Sequence, residues 1–170
     1  LTQAAQSEQM AIDEIGLLDA NFGELLANAA LAVIESSDLS ADQIQAIGSH
    51  GQTIRHRPTL SPRFTWQIGD PTRIVERTGI TTVADFRRRD MAAGGEGAPL
   101  APLFHHFRFT DRSEYRAVVN IGGIANITIL PPDSDKAIVG FDSGPGNILM
   151  DGWIQKHHSS SFDRDGRWAE

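Results

Sequence analysis

Asp142 closes an apolar run and is followed at once by Ser143-Gly144-Pro145-Gly146-Asn147, then by a helical pattern carrying Ile148, Leu149, Trp153 and Ile154. A carboxylate beside a Gly-rich turn that opens a helix faces backbone N–H groups without intrahelical partners, and such groups hold anions. Phosphoryl transfer needs donors for the phosphate and a fixed base for whatever attacks it. Aspartate also has a plainer use, capping a helix that begins near Pro145 or Gly146. The two uses are compatible, because a helix N-terminus favours the ionised carboxylate. Upstream, Asn120, Gly122, Gly123 and Asn126 form a second cluster. Gly-Gly there serves as a two-residue hairpin connection, or it lets backbone N–H groups approach phosphates closely. Gly144 and Gly146 carry the same pair of readings. Asn147 either reaches a ligand hydroxyl or caps the helix.

Two further polar clusters precede these. His50, Gln52, Thr53, Arg55 and His56 occupy a loop after a short buried run, Ala46–Ser49. Histidine and arginine in an exposed loop are usually solvated. His50 and His56 have no acidic partner at ligand spacing, so no metal site is expected. Arg87, Arg88, Arg89 and Asp90 make a basic island in an acidic chain. It reads as a solvated basic loop partly self-paired through Asp90. His105-His106 and His157-His158 read as helix-surface residues.

The elements that must position these groups follow from periodicity. Arg116–Ile121, Ala125–Leu130 and Lys136–Phe141, broken by the Gly122-Gly123 corner and the turn-forming Pro131-Pro132-Asp133-Ser134-Asp135, predict a three-stranded meander with Asp142 at its last tip. Ile15, Leu18, Phe22, Leu25, Ala29 and Val33 recur at helical spacing, so residues 8–36 form one amphipathic helix, or a bent pair if Gly16 or Gly23 interrupts it. Ser40 with Gln43 reads as a capping box. Arg63–Ile68 reads as a half-buried strand with Phe64, Trp66 and Ile68 on one face. Asp70, Pro71 and Gly79 bracket a short helix. Ile80–Ala84 is a strand, Asp85–Gly97 an aperiodic loop of the kind that carries function, and Ala101–Phe109 a helix. The expected division lies near residue 84 or 85, giving segments 1–84 and 85–170 of an α/β protein.

The 170 residues carry a net charge of -7, which argues against a nucleic-acid or anionic-membrane binder. No cysteine is present, so disulfides and thiolate metal sites are excluded. No apolar run approaches the ~20 residues of a bilayer span, and a cytoplasmic location is expected.

NIGGIAN (120–126) and FDSGPGN (141–147) resemble motifs of the anhydro-N-acetylmuramic acid kinase family, bacterial enzymes of the sugar kinase/Hsp70/actin superfamily. SHGQTIRH (49–56), FTWQIGDP (64–71) and ADFRRRDMAAGGEGAPLAP (84–102) resemble the same family in the same order. The resemblance implies two ribonuclease H-like lobes around a cleft, with ATP and Mg²⁺ as cofactors. The implied partner is the small molecule 1,6-anhydro-N-acetylmuramic acid, with no nucleic acid or membrane partner and a homodimer left open. Asp142 would be the general base. Asn120, Gly122, Gly123, Asn126, Gly144 and Gly146 would line the nucleotide phosphates, and His50, Gln52, Arg87, Asp90 and Asn147 the sugar, with no protein metal ligand. In the implied reaction, water deprotonated by Asp142 opens the anhydro bridge and the released O6 takes the γ-phosphoryl group. The product is N-acetylmuramic acid 6-phosphate, in cell-wall recycling. The family's Gly-Thr-Ser-x-Asp-Gly phosphate loop and its C-terminal half have no counterpart here, so the chain is expected to be a piece that is inactive alone. Glu96 stands where the family usually has glutamine. Other readings are a superfamily kinase for another sugar or small acid, and a fragment without catalysis.

Overall fold

Asp70, Pro71 and Gly79 act as their residue types dictate. Asp70 accepts a hydrogen bond from the Thr72 N–H at 2.9 Å, Pro71 opens helix α2 (Pro71–Thr78), and Gly79 ends it in the left-handed region at φ 69°. In this computed structural model, residues 4, 9–132 and 136–170 are described. They belong to two compact units, Leu1–Ala98 and Pro99–Glu170.

In the first unit, α1 (Ile12–Glu35) is one continuous helix of 24 residues. Gly23 does not bend it. A side chain there would press on the Asp70 backbone at 2.8 Å, so glycine lets α1 cross the Gly69–Asp70 turn closely. Asp19 secures the crossing by accepting the Gly69 N–H at 2.6 Å. Arg73 and Arg77 of α2 reach Glu24 at 2.8 and 3.2 Å. Contrary to the sequence expectation, α1 is long and apolar enough to cross a membrane by length and composition. Its acidic residues and these contacts bind it to α2.

Strand β1 (Ile47–Gly48) pairs in parallel with β4 (Thr82–Val83). Strand β2 (Gln52–Arg57) pairs antiparallel with β3 (Phe64–Ile68) across an irregularity between Thr53 and Arg55. The expected polar loop at 49–56 is therefore mostly strand. The face of β3 is also corrected. Thr65 and Ile68 are buried while Phe64 and Trp66 are exposed, because the Thr65 hydroxyl is held inside by His56 and Gln67. Ile54 and Ile68 form the apolar centre with Ala4, and fully burying a side chain such as Ile68 or Ile74 is worth ~1.5–3 kcal/mol.

The expected loop 85–97 begins instead with helix α3 (Phe86–Ala92), which buries Met91. Arg63 then donates to the Gly94 and Gly95 carbonyls at 3.3 and 3.1 Å. These contacts carry the first unit to Ala98, past the strand end near residue 84.

The second unit is the meander. Helix α4 (Ala101–Phe109) precedes β5 (Arg116–Ile121), β6 (Ile124–Leu130) and β7 (Val139–Pro145), all antiparallel in that order, and α5 (Ile148–His158) follows. The expected turn residues 133–135 lie outside the described residues. The hairpin closes on the pair Ile121 and Ala125, so its corner holds Gly122, Gly123 and Ile124. Neither glycine takes the positive φ of a two-residue mirror-image turn.

Candidate functional site

Strand register assembles the first group. Asn120 lies opposite Asn126, and Asn126 opposite Asp142. Directly opposed residues in antiparallel strands project to the same face, so three polar side chains form one row across the sheet. Two residues along β6, Thr128 meets His105 Nδ1 at 2.9 Å, and the opposing Gly140 fits beneath Pro102 of α4. His105 is thus a half-buried packing residue, not a surface one. The polar row lies between the cover of α4 and the glycine corner.

Asp142 is inside β7, not at its tip. Between Ala125 and Asn126 on β6, the partner strand advances from Gly144 to Asp142, which leaves Ser143 as an extra residue. Its hydroxyl donates to the Ala125 carbonyl at 3.2 Å. Such bulges turn a strand and re-aim its side chains. The capping alternative fails, because α5 begins at Ile148, Asn147 holds the N-cap position, and the Asn147 side chain makes no capping bond. Asp142 is exposed, and among the described residues nothing hydrogen-bonds or ion-pairs with its carboxylate.

The glycines separate into two kinds. Gly144 has φ 144°, a conformation other residues rarely adopt. Gly146 is forced by packing, because a side chain there would collide with the Gly122 carbonyl. The Gly146 and Ile148 N–H groups donate to the Gly123 carbonyl at 2.8 and 3.3 Å, and the Asn147 N–H donates to Gly122 at 2.9 Å. The turn's first donors therefore bind the hairpin corner. In the first turn of α5, the N–H groups of Leu149 and Met150 have no partner among the described residues. Gly122 and Gly123 differ from Gly144 and Gly146. A methyl at either would meet only ordinary contacts, none closer than 3.7 Å, and neither has a positive φ. Nothing in the chain's own packing demands glycine at the corner.

The second group belongs to the first unit. Parallel β1 and β4, joined where Ser49 N–H donates to the Val83 carbonyl at 2.8 Å, release their chains side by side. One leads to His50 and the other to Arg87, and Arg87 Nε donates to His50 Nε2 at 2.8 Å. Arg87 also donates to the Gly97 carbonyl at 3.3 Å. Asp90 is occupied with the loop, accepting the Gly97 N–H at 2.7 Å. Arg88 pairs with Asp85 at 2.7 Å, so the expected self-pairing through Asp90 is not formed. Glu96 is exposed. Gln52 is exposed at the start of β2. Arg55 and His56 serve the fold, donating to the Ala4 carbonyl at 2.7 Å and contacting Thr65 Oγ1 at 3.2 Å.

Sequence reasoning passed over Ser143 and Gln67. Gln67 Nε2 bridges Thr53 and Thr65 at 3.0 and 2.8 Å, tying β2 to β3. Its amide two residues from Thr65, among the large apolar residues Phe64, Trp66 and Ile68, was the available signal.

A family model described as anhydro-N-acetylmuramic acid kinase matches residues 1–170. The chain is similar to proteins of that name from Xanthomonas campestris pv. campestris (strain 8004), 57% identical over 96% of this chain and 43% of the relative, and from Xanthomonas axonopodis pv. citri (strain 306), 58% identical over the same shares. The Coxiella burnetii (strain Dugway 5J108-111) protein is 56% identical over 93% of this chain and 42% of its own length. The chain thus spans less than half the length of these relatives.

Proposed function

This chain belongs to the anhydro-N-acetylmuramic acid kinase family, and from that membership we propose that the protein carrying it is an ATP-dependent kinase that opens and phosphorylates 1,6-anhydro-N-acetylmuramic acid. The observation that carries the reading is the row Asn120, Asn126 and Asp142, set beside a glycine corner that the chain's own packing does not require. A catalytic base needs an accessible, unengaged carboxylate on a rigid element. Asp142 has both properties.

Asp142 takes a proton from the water that attacks the anomeric carbon. The bridge C–O bond breaks, and the departing O6 takes the γ-phosphoryl group as the bond to the β-phosphate breaks and ADP leaves. One carboxylate is sufficient because the leaving oxygen is also the nucleophile of the second step. Gly122 and Gly123 let the nucleotide phosphates approach the backbone, with Asn120 and Asn126 as polar neighbours. Gly144 and Gly146 serve that site indirectly, by shaping the bulge and the turn into α5. Mg²⁺ bound with the nucleotide would supply charge neutralisation at the phosphates, and none of the residues named here is assigned as its ligand. Arg87 meets the lactyl carboxylate, with His50, Gln52 and Asp90 supporting that contact, and Asn147 is a further candidate for a sugar hydroxyl. In this reading the two units contribute to two ribonuclease H-like lobes of a cytoplasmic enzyme.

The test is ADP release by a full-length protein containing this sequence, offered the anhydro sugar, glucose or a small carboxylic acid. Turnover with the anhydro sugar and none with the others is expected. Turnover with glucose instead would move the protein to another branch of sugar kinases.

A further inference from the structure

The contact between His50 and Arg87 fixes more than a neighbourhood. Arg87 Nε carries a hydrogen and has no lone pair to offer, so at 2.8 Å it donates and His50 Nε2 accepts. An accepting Nε2 is bare. The other ring nitrogen, Nδ1, lies 2.9 Å from the Gly51 carbonyl and must carry the proton it donates there. His50 therefore holds a single tautomer, anchored to the backbone on one side and aimed at the guanidinium on the other. Gly51 makes the anchor feasible, because its φ of 66° turns the chain between β1 and β2 where a side chain would strike the Ile68 carbonyl.

Arg87 is held on a second side by the Gly97 carbonyl at 3.3 Å. Gly97 is in turn fixed through its N–H to Asp90 at 2.7 Å. With Nε facing His50 and one terminal nitrogen facing Gly97, the other terminal nitrogen has no partner among the described residues and is open to a ligand. Both residues emerge beyond the carboxyl ends of adjacent parallel strands, β1 and β4, the edge where α/β sheets bind ligands.

We infer that His50 is a positioning residue for Arg87, and that it supports recognition of an anionic substrate through the guanidinium without touching the substrate itself. The inference rests on the kinase reading above and assigns His50 a different task from direct sugar contact. An arginine held by two fixed acceptors loses less rotamer freedom when it grips a carboxylate.

The experiment uses the full-length protein with ATP and 1,6-anhydro-N-acetylmuramic acid, and compares wild type, His50→Ala, His50→Gln, Arg87→Ala and the double variant His50→Ala/Arg87→Ala. Gln is chosen because its amide oxygen can accept from Arg87 Nε much as Nε2 does. His50→Ala is expected to raise the sugar KM roughly 10-fold, the scale of one hydrogen bond to a charged group, while ATP KM and kcat stay within about 2-fold. His50→Gln should restore most of the loss. In the Arg87→Ala background, removing His50 should add less than about 2-fold, since a residue acting through another has nothing left to act on. Losses that multiply in the double variant, or a His50→Gln variant no better than His50→Ala, would overturn the inference. Absence of turnover by wild type with this sugar would instead sink the kinase reading, so the two failures are distinguishable.

Discussion

Replacing Gly146 by Ala and Gly122 by Ala should impair different properties, although both glycines stand in one small corner. At Gly146 the added methyl would sit on the Gly122 carbonyl, 3.2 Å from its carbon and 3.4 Å from the Ala125 nitrogen. All the nearest atoms are backbone, so no side chain can swing aside. The turn must move, and the three N–H donations from Gly146, Asn147 and Ile148 to the corner weaken with it. Overpacking of this kind costs ~1–3 kcal/mol, and loss of one or two of the hydrogen bonds adds ~0.5–1.5 kcal/mol each. A total of ~1.5–6 kcal/mol, at ~2–4 °C per kcal/mol, lowers the melting temperature by ~3–24 °C. Gly122→Ala meets nothing closer than 3.7 Å and should melt within about 1 °C of wild type by the same scaling. Its cost should appear in nucleotide binding, as a rise in ATP KM of ~10-fold or more. Differential scanning fluorimetry of full-length variants reads the first quantity and steady-state kinetics the second. If Gly146→Ala melts like wild type, or Gly122→Ala melts as low as Gly146→Ala with unchanged ATP KM, the division of the glycines is wrong.

Other perturbations follow from single contacts. Arg87→Ala should raise the sugar KM by ~10-fold or more, the worth of a charge-assisted contact to a carboxylate, with a smaller effect on ATP KM; equal changes in both would refute the assignment. Asp90→Ala leaves the buried Gly97 N–H without its acceptor, so thermal or urea unfolding should register a loss of ~1–3 kcal/mol. The Ser113 hydroxyl, its N–H, and Arg116 hold the Asp111 carboxyl below the usual aspartate range. A depressed folded value means stabilisation that is present above the unfolded value of ~3.9 and lost as pH falls below it. Ser113→Ala should therefore reduce stability at pH 6 and make little difference near pH 2, as urea midpoints at the two values would report.

What was legible in the sequence was local chemistry. Asp70, Pro71 and Gly79 announce α2 because cap, first-turn and terminating preferences each act within a few residues. The meander was legible because its strands alternate with turn formers. β2 was not, since Gln-Thr-Ile-Arg-His-Arg has one apolar residue and becomes a strand through pairing with β3. α3 was hidden by the glycines after it, and by Asp85, which enters the helix in the left-handed region at φ 61° with no capping bond. The row of Asn120, Asn126 and Asp142 depends on register, and register depends on the three-residue corner and the Ser143 bulge, neither of which periodicity reveals. The contact between His50 and Arg87 bridges 37 positions of chain. It follows from the pairing of β1 with β4, a tertiary event that no local pattern encodes.

The most direct measurement is the kcat of Asp142→Asn in the full-length protein with ATP and 1,6-anhydro-N-acetylmuramic acid, taken beside its melting temperature. Amide replaces carboxylate on an exposed, unengaged side chain, so melting should be unchanged while kcat falls ~10²–10⁴-fold. A variant that keeps wild-type kcat on the anhydro sugar would show that the base is elsewhere.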